Sequence, residues 1–108
     1  MFGGEQAETI GALLVRVRAQ LGISQLRLAQ RLCASAGVTT VTRNEVSRWE
    51  REERIPTTYW LGWLAVALEL PLAELERAAG AARLRRRHEA YAARWVEFPR
   101  GVYARRAG

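Results

Sequence analysis

The stretch VTRNEVSRWEREERIP, residues 41–56, concentrates hydrogen-bonding side chains at a spacing that could do chemistry. At helical period, Val46 and Trp49 share one side, while Arg43, Asn44, Ser47 and Arg48 share the other. A guanidinium is a planar fork of donors that fits the O6/N7 edge of guanine, and a carboxamide can pair with N6/N7 of adenine. The same four side chains on a helix that faces only water would be ordinary solvated polar groups. The remainder of the chain has to decide between those readings.

Other chemistries are narrowed by counting. His88 is the only histidine, and lysine and aspartate are absent, so a histidine-based metal cluster or a Ser-His-Asp triad is excluded. Acid–base catalysis would have to rest on Glu and Tyr, and no glycine-rich phosphate loop appears. The expectation is a non-enzyme with no catalytic residue, no metal site and no cofactor. His88 is read as part of the half-buried face of a C-terminal helix. Cys33, the single cysteine, permits no internal disulfide and is read as a small buried filler in a reducing compartment.

The elements that must position these groups are helical. Ile10, Leu13, Leu14, Val17 and Leu21 form one stripe of an amphipathic helix that ends near Gly22. Ser24 is a suitable N-cap for a second helix, QLRLAQRLCAS, with Leu28, Ala29 and Leu32 inward and Gly37 as its stop. VTTVT reads as a loop. The third helix starts at Thr42 with Glu45 completing an S/T-x-x-E capping box, and it ends before Pro56. A fourth helix covers about 57–69, and a fifth begins at Pro71 with Leu72 and Leu75 facing in. Gly80 is predicted to break the chain before a sixth helix at about 81–97. The fold class is all-α.

One hundred and eight residues suggest a single domain, and an apolar half suffices for a core. The N-terminus lacks the basic and apolar pattern of a signal peptide. The longest uncharged run, Ile55–Leu68, is short of the ~20 residues that cross a bilayer. A cytoplasmic, nucleoid-associated protein is expected, with no membrane partner. All 17 basic residues are arginine and all 11 acidic ones glutamate. Residues 1–80 hold nine of each; residues 81–108 hold eight Arg and two Glu, so the net +6 lies in the tail. That tail either attracts polyanions such as nucleic acid or is simply a solvated helix.

Three segments, GISQLRLAQRL, VTRNEVSRWEREERIP and LGWLAVALELPLAEL, resemble the Xre-type (phage repressor/Cro-like) helix-turn-helix domain across residues 9–79. Its marks are Ser24-Gln25, Leu28-Ala29, Val46-Ser47 with Trp49-Glu50, Pro56, and the Leu61/Leu64/Ala65/Leu68 pattern. The resemblance implies a five-helix lambda-repressor-like domain whose third helix lies in the DNA major groove, usually in a two-fold dimer that regulates transcription. By position, Arg43, Asn44 and Arg48, with Ser47 beside them, match the base-reading residues. Gln25 matches a position that grips a phosphate and braces the reading helix. Thr42, Arg51 and Arg54 are the further phosphate candidates. Glu50, Glu52 and Glu53 would repel DNA, so they are expected beyond the groove-facing turns, paired with Arg51 and Arg54. Double-stranded DNA and a second copy of the chain are the partners implied.

Two departures from the family stand out. The turn between helices two and three is lengthened around Ala34–Thr40, and is read as a passive loop, the alternative being DNA-backbone contact through Thr39 and Thr40. The fourth helix is apolar nearly all round, with Tyr59, Trp60, Trp63 and Val66 on faces usually polar, and such a helix is generally covered. Leu84, His88, Tyr91 and Trp95, followed by Phe98, form a stripe on the C-terminal helix that is expected to pack on Trp60 and Trp63, within the chain or across a dimer. The residues after Phe98, PRGVYARRAG, read as a flexible basic end. The same apolar surfaces would also suit an antitoxin or protein-interaction module with a partner on the C-terminal extension, residues 80–108. A sequence-indifferent architectural DNA binder is the third reading.

Overall fold

Hydroxyl side chains and left-handed residues set the helix boundaries. The computed structural model describes residues 7–97, with side chains as far as residue 94. Among them run α1 (Ile10–Leu21), α2 (Gln25–Ala36), α3 (Arg43–Glu50), α4 (Thr58–Leu68) and α5 (Leu72–Glu97), and none is long and apolar enough to cross a membrane. Ser24, Thr42 and Thr57 each accept a backbone N–H three residues on, from Arg27 (3.0 Å), Glu45 (3.3 Å) and Trp60 (3.4 Å), which satisfies donors that a helix start leaves free. Gly22 (φ 69°) and Gly37 (φ 71°) close α1 and α2 in the left-handed region, where glycine carries no Cβ penalty.

The capping box predicted at Thr42 forms only by its hydroxyl half. Glu45 turns its carboxylate toward Arg48 Nη1 (3.9 Å) and Arg54 Nη1 (3.7 Å) rather than back to the Thr42 N–H. Two guanidinium groups outcompete one exposed amide.

The predicted break at Gly80 is absent, and the fifth and sixth helices are one helix of 26 residues. Ala78, Ala79 and Ala82 are buried on both sides of Gly80. A single glycine costs a helix only about 1 kcal/mol, less than tearing that alanine seam from the core. The predicted core is otherwise met by Ile10, Leu13, Leu14, Val17, Leu28, Ala29, Leu32, Val46, Trp49, Leu61, Leu64, Leu68 and Leu75. Leu21 and Leu72, expected inside, are exposed because they sit at helix ends beyond the core's edge.

α3 packs on α1 and α2, α2 on α4, and α5 on α1 and α4. Trp49 is almost wholly buried, its ring centroid 6.3 Å from that of Trp60. In the lengthened turn α2 runs on to Ala36. Val41 then plugs into the core, and the Cys33 thiol, only half-buried, donates to the Val41 carbonyl at 3.3 Å. Thr39 and Thr40 remain exposed.

The acidic cluster after Trp49 does not behave as expected, since only Glu53 pairs with Arg51 (3.3 Å). Glu50, its side chain 5% exposed, takes two N–H groups of Arg18 (2.7 and 3.2 Å) and one of Gln25 (2.8 Å). Arg18 also donates to the Ile23 carbonyl at 3.0 Å. The hydrogen bond to Glu50 raises the Arg18 pKa above its ordinary value against the opposing effect of burial. Glu52 adopts φ 59°, the left-handed position after a helix that glycine usually fills. From there its carboxylate accepts the Gly11 N–H (2.8 Å) and approaches Arg85 (3.7 Å). Thr9 makes no side-chain cap for α1, so Glu52 supplies the missing acceptor and a negative charge at the helix start.

Gly11 makes this approach possible. A Cβ there would collide with the Glu50 carbonyl oxygen and stand 2.8 Å from the Glu52 side chain. Gly11→Ala should therefore lower stability by about 1–3 kcal/mol through overpacking, although helix propensity alone predicts a gain of about 1 kcal/mol. The shift in denaturant midpoint at constant slope gives the sign, and a gain would refute the α1–α3 contact. Glu50→Ala should cost about 2–3 kcal/mol, between the value of an exposed pair and that of a buried one. A loss under 0.5 kcal/mol, roughly the exposed-pair value, would show that the network does not hold α3.

Candidate nucleic-acid interface

α3 has eight residues, too short to persist alone, so its orientation comes from what its inward side grips. Val46 and Trp49 seat it in the core, and Glu50 and Glu52 tie its end to α1, α2 and α5.

On its outward side Arg43 and Asn44 are exposed, and neither forms a hydrogen bond or ion pair with another described residue. Arg48, with its side chain 50% exposed, lies only loosely against Glu45 at 3.9 Å, an interaction worth under about 1 kcal/mol and easily exchanged. Ser47 is half-buried at the margin of this face. Arg43, Asn44 and Arg48 thus form one accessible set of planar donors and acceptors, with Ser47 beside them.

The flanking residues differ in how far they are committed. One amide N–H of Gln25 goes to Glu50, so this side chain braces α3 through its C-terminal end and keeps a second N–H at the start of α2. Thr42 Oγ1 accepts from Glu45, which leaves its O–H able to donate. Arg51 and Arg54 are both exposed and in weak pairs with Glu53 and Glu45. Because Glu50 and Glu52 turn inward, the outward surface from 43 to 54 carries Arg43, Arg48, Arg51 and Arg54 against only Glu45 and Glu53. An acid-rich sequence thereby presents a basic face. Sequence reasoning missed Arg18, Gly11 and Val41, and only Arg18 left a signal, a charge one residue after the last buried position of α1.

A second surface runs along α4. Trp60 and Trp63 are half-buried and packed against the core, while Tyr59 (56%) and Val66 (59%) are exposed. Tyr59 meets Trp60 edge-on at 5.0 Å and Trp63 at 6.4 Å. The expected packing of Leu84 and Tyr91 on Trp60 and Trp63 within the chain is not found, and both are exposed. Leu75, Ala78, Ala79 and Ala82 face the core, and their helical continuation is Arg86, Glu89 and Ala93, so the Leu84 stripe lies on the opposite side. His88, expected half-buried, is exposed for the same reason. The Trp95 side chain, Phe98 and the stretch PRGVYARRAG lie outside the described residues.

No curated protein and no solved structure matches the chain significantly. A family model described as helix-turn-helix matches residues 14–75, more than half the chain, from the middle of α1 into α5. With a capped α2 and α3, a buried seam beneath α3 and a basic outward face, the chain belongs to the Cro/C1-type, Xre-like helix-turn-helix family of DNA-binding regulators.

Proposed function

We propose that this protein is a cytoplasmic, nucleoid-associated transcriptional regulator that binds an operator sequence-specifically, as a two-fold dimer. The observation that carries the reading is the exposed set Arg43, Asn44 and Arg48 on a short helix fixed from beneath. In this reading α3 enters the major groove. Arg43 and Arg48 take guanine edges, Asn44 an adenine, and Ser47 an adjacent group, each good pair contributing about 1–3 kcal/mol of discrimination. Gln25, Thr42, Arg51 and Arg54 take phosphates around the groove, helped by the positive amino ends of α2 and α3. Residues 9–79 form the reading unit and 80–108 an extension.

Dimerisation is assigned to the aromatic face of α4. Its helix carries no charge over Thr58–Leu68, so two copies can meet there without burying an unpaired ion. Tyr59, Trp63 and Val66 offer the apolar contact, and Gly62, with open space around it, allows close approach. The exposed Leu84 and Tyr91 favour, as a second reading, a protein partner for the extension, as in an antitoxin.

Selection from a random duplex library should recover paired half-sites about 34 Å apart. Recovery of no preferred sequence would favour the architectural reading instead. Arg43→Ala should relax preference at one base position per half-site, at a cost of about 1–3 kcal/mol; an equal loss on every sequence would count against direct readout. Tyr59→Glu should turn the dimer into a monomer by sedimentation and abolish binding to paired half-sites in preference to single ones. A monomeric wild-type chain that gains helicity only with a second protein would support the antitoxin reading.

A further inference from the structure

We propose, resting on the reading of residues 80–108 as a partner-binding extension, that the distal half of α5 docks an acidic amphipathic helix of a partner protein on a side turned away from α3.

Beyond Ala82 every residue of α5 as far as Arg94 is exposed, while the helix itself runs on to Glu97. About 21 Å of helix thus leaves the core, at 1.5 Å per residue. So short a stretch is marginal in water by itself, and Arg83 and Arg87, like charges one turn apart, weaken it further. Its large apolar groups are not scattered. Leu84, His88 and Tyr91 follow one another at spacings of 4 and 3, the d, a and d positions of a heptad seam. Leu84 and Tyr91 are both exposed, so the seam is presented outward.

The borders of the seam set the chemistry of the companion helix. Arg87 and Arg94 occupy the g positions, with Arg83 beside them, and none of the three forms an ion pair or hydrogen bond with another described residue. Arg85 and Ala92 occupy the e positions. Residues 83–94 hold five arginines and one glutamate, a net charge of +4, and that glutamate, Glu89, is held by Arg85 at 3.2 Å. Where two helices pack along such a seam, opposite charges at e and g choose the partner. An apolar stripe edged with carboxylates complements both Leu84 with Tyr91 and the free arginines.

Arg85 fixes the orientation. It reaches Glu52, two residues beyond the end of α3, at 3.7 Å. Arg87 and Arg94 lie about half a turn round the helix from it. The arginine border therefore points away from α3, and a helix docked there leaves Arg43, Asn44 and Arg48 uncovered.

Other occupants fit less well. Two copies packed antiparallel would set the Arg87–Arg94 border against itself, and packed parallel would set Arg87 opposite Ala92, without a counter-charge either way. Nucleic acid would meet the arginines but leave Leu84 and Tyr91 in water. An anionic lipid surface needs a broad apolar face, and Leu84 and Tyr91 are the only large apolar groups among residues 83–94.

The test titrates the full chain with peptides of about three heptads. One carries leucine at a and d and glutamate at e and g. The first control has lysine at e and g, and the second is the acidic peptide with serine at a and d. Wild type should bind the acidic leucine peptide about tenfold more tightly than either control. Leu84→Ala/Tyr91→Ala should weaken that binding about tenfold, and Arg87→Glu/Arg94→Glu should prefer the lysine peptide. Both variants change only exposed residues, and far-UV circular dichroism checks their helicity. A saturating library-selected duplex should leave the affinity for the acidic peptide unchanged.

Equal affinity for all the peptides, or folded variants that bind as wild type does, would overturn the proposal. So would displacement of the peptide by the duplex, which gives the stripe to nucleic acid. Phosphatidylserine vesicles bound by wild type and lost by Leu84→Ala/Tyr91→Ala, without any peptide preference, would give it to a lipid surface. A wild-type dimer dissociated by Leu84→Ala/Tyr91→Ala and not by Tyr59→Glu would give it to a second copy. The peptide comparisons need no DNA, so a chain that binds no duplex loses the reading by α3 and keeps this one.

Discussion

The carboxylate of Glu50 is the point on which this molecule turns. It lies nearly out of solvent and receives three N–H groups, two from Arg18 of α1 and one from Gln25 of α2. An ionised group so placed is tolerated only when its lone pairs are filled, and filling them requires three helices to hold one mutual arrangement. α3 cannot supply that arrangement itself, because eight residues barely outlast the cost of helix nucleation. Its rigidity is borrowed from longer neighbours.

The same device settles the sign of the surface. Four glutamates and four arginines between residues 43 and 54 would give no net field if all faced water. Glu50 and Glu52 spend their charge on α1, α2 and α5, and what remains outside is basic. Mechanical bracing and electrostatic sorting are therefore one event. Glu52 carries a backbone cost for its part, since a left-handed non-glycine residue is strained by about 1–3 kcal/mol. Capping α1 through the Gly11 N–H and meeting Arg85 offset it.

What could be read from the sequence follows the range of the interactions. Ser24, Gly22, Gly37 and the hydroxyl of Thr42 act within four residues, so residue type and position announced them. The Val46–Trp49 seam and the outward Arg43, Asn44 and Arg48 followed from period alone. The failures came where a distant partner chose. Gly11 looks like a poor helix residue until Glu52, 41 positions away, is brought against it. Arg18 looks like a solvated charge until Glu50 arrives from 32 positions on. Gly80 looked like a stop because its own propensity is low, and it yields because the alanines around it are buried. Val41 lies in the β-branched run VTTVT, read as a loop, where nothing marked one valine as a core residue.

The turn between α2 and α3 shows how a long connection can be closed without leaving the start of α3 loose. Extending a loop costs little, because closure entropy rises only with the logarithm of its length. The danger is slack, which would let Thr42 drift and misplace Arg43 and Asn44. Here residues 34–40 are divided between the two sides of Gly37. α2 takes up part of them as helix to Ala36, and Val38 closes that end with a hydrogen bond to the Cys33 carbonyl at 3.0 Å. Burying the Val41 side chain and bonding its carbonyl to the Cys33 thiol fix the chain one residue before the Thr42 cap. Thr39 and Thr40 are left exposed outside the core, so the slack of the turn ends before the first residue of α3.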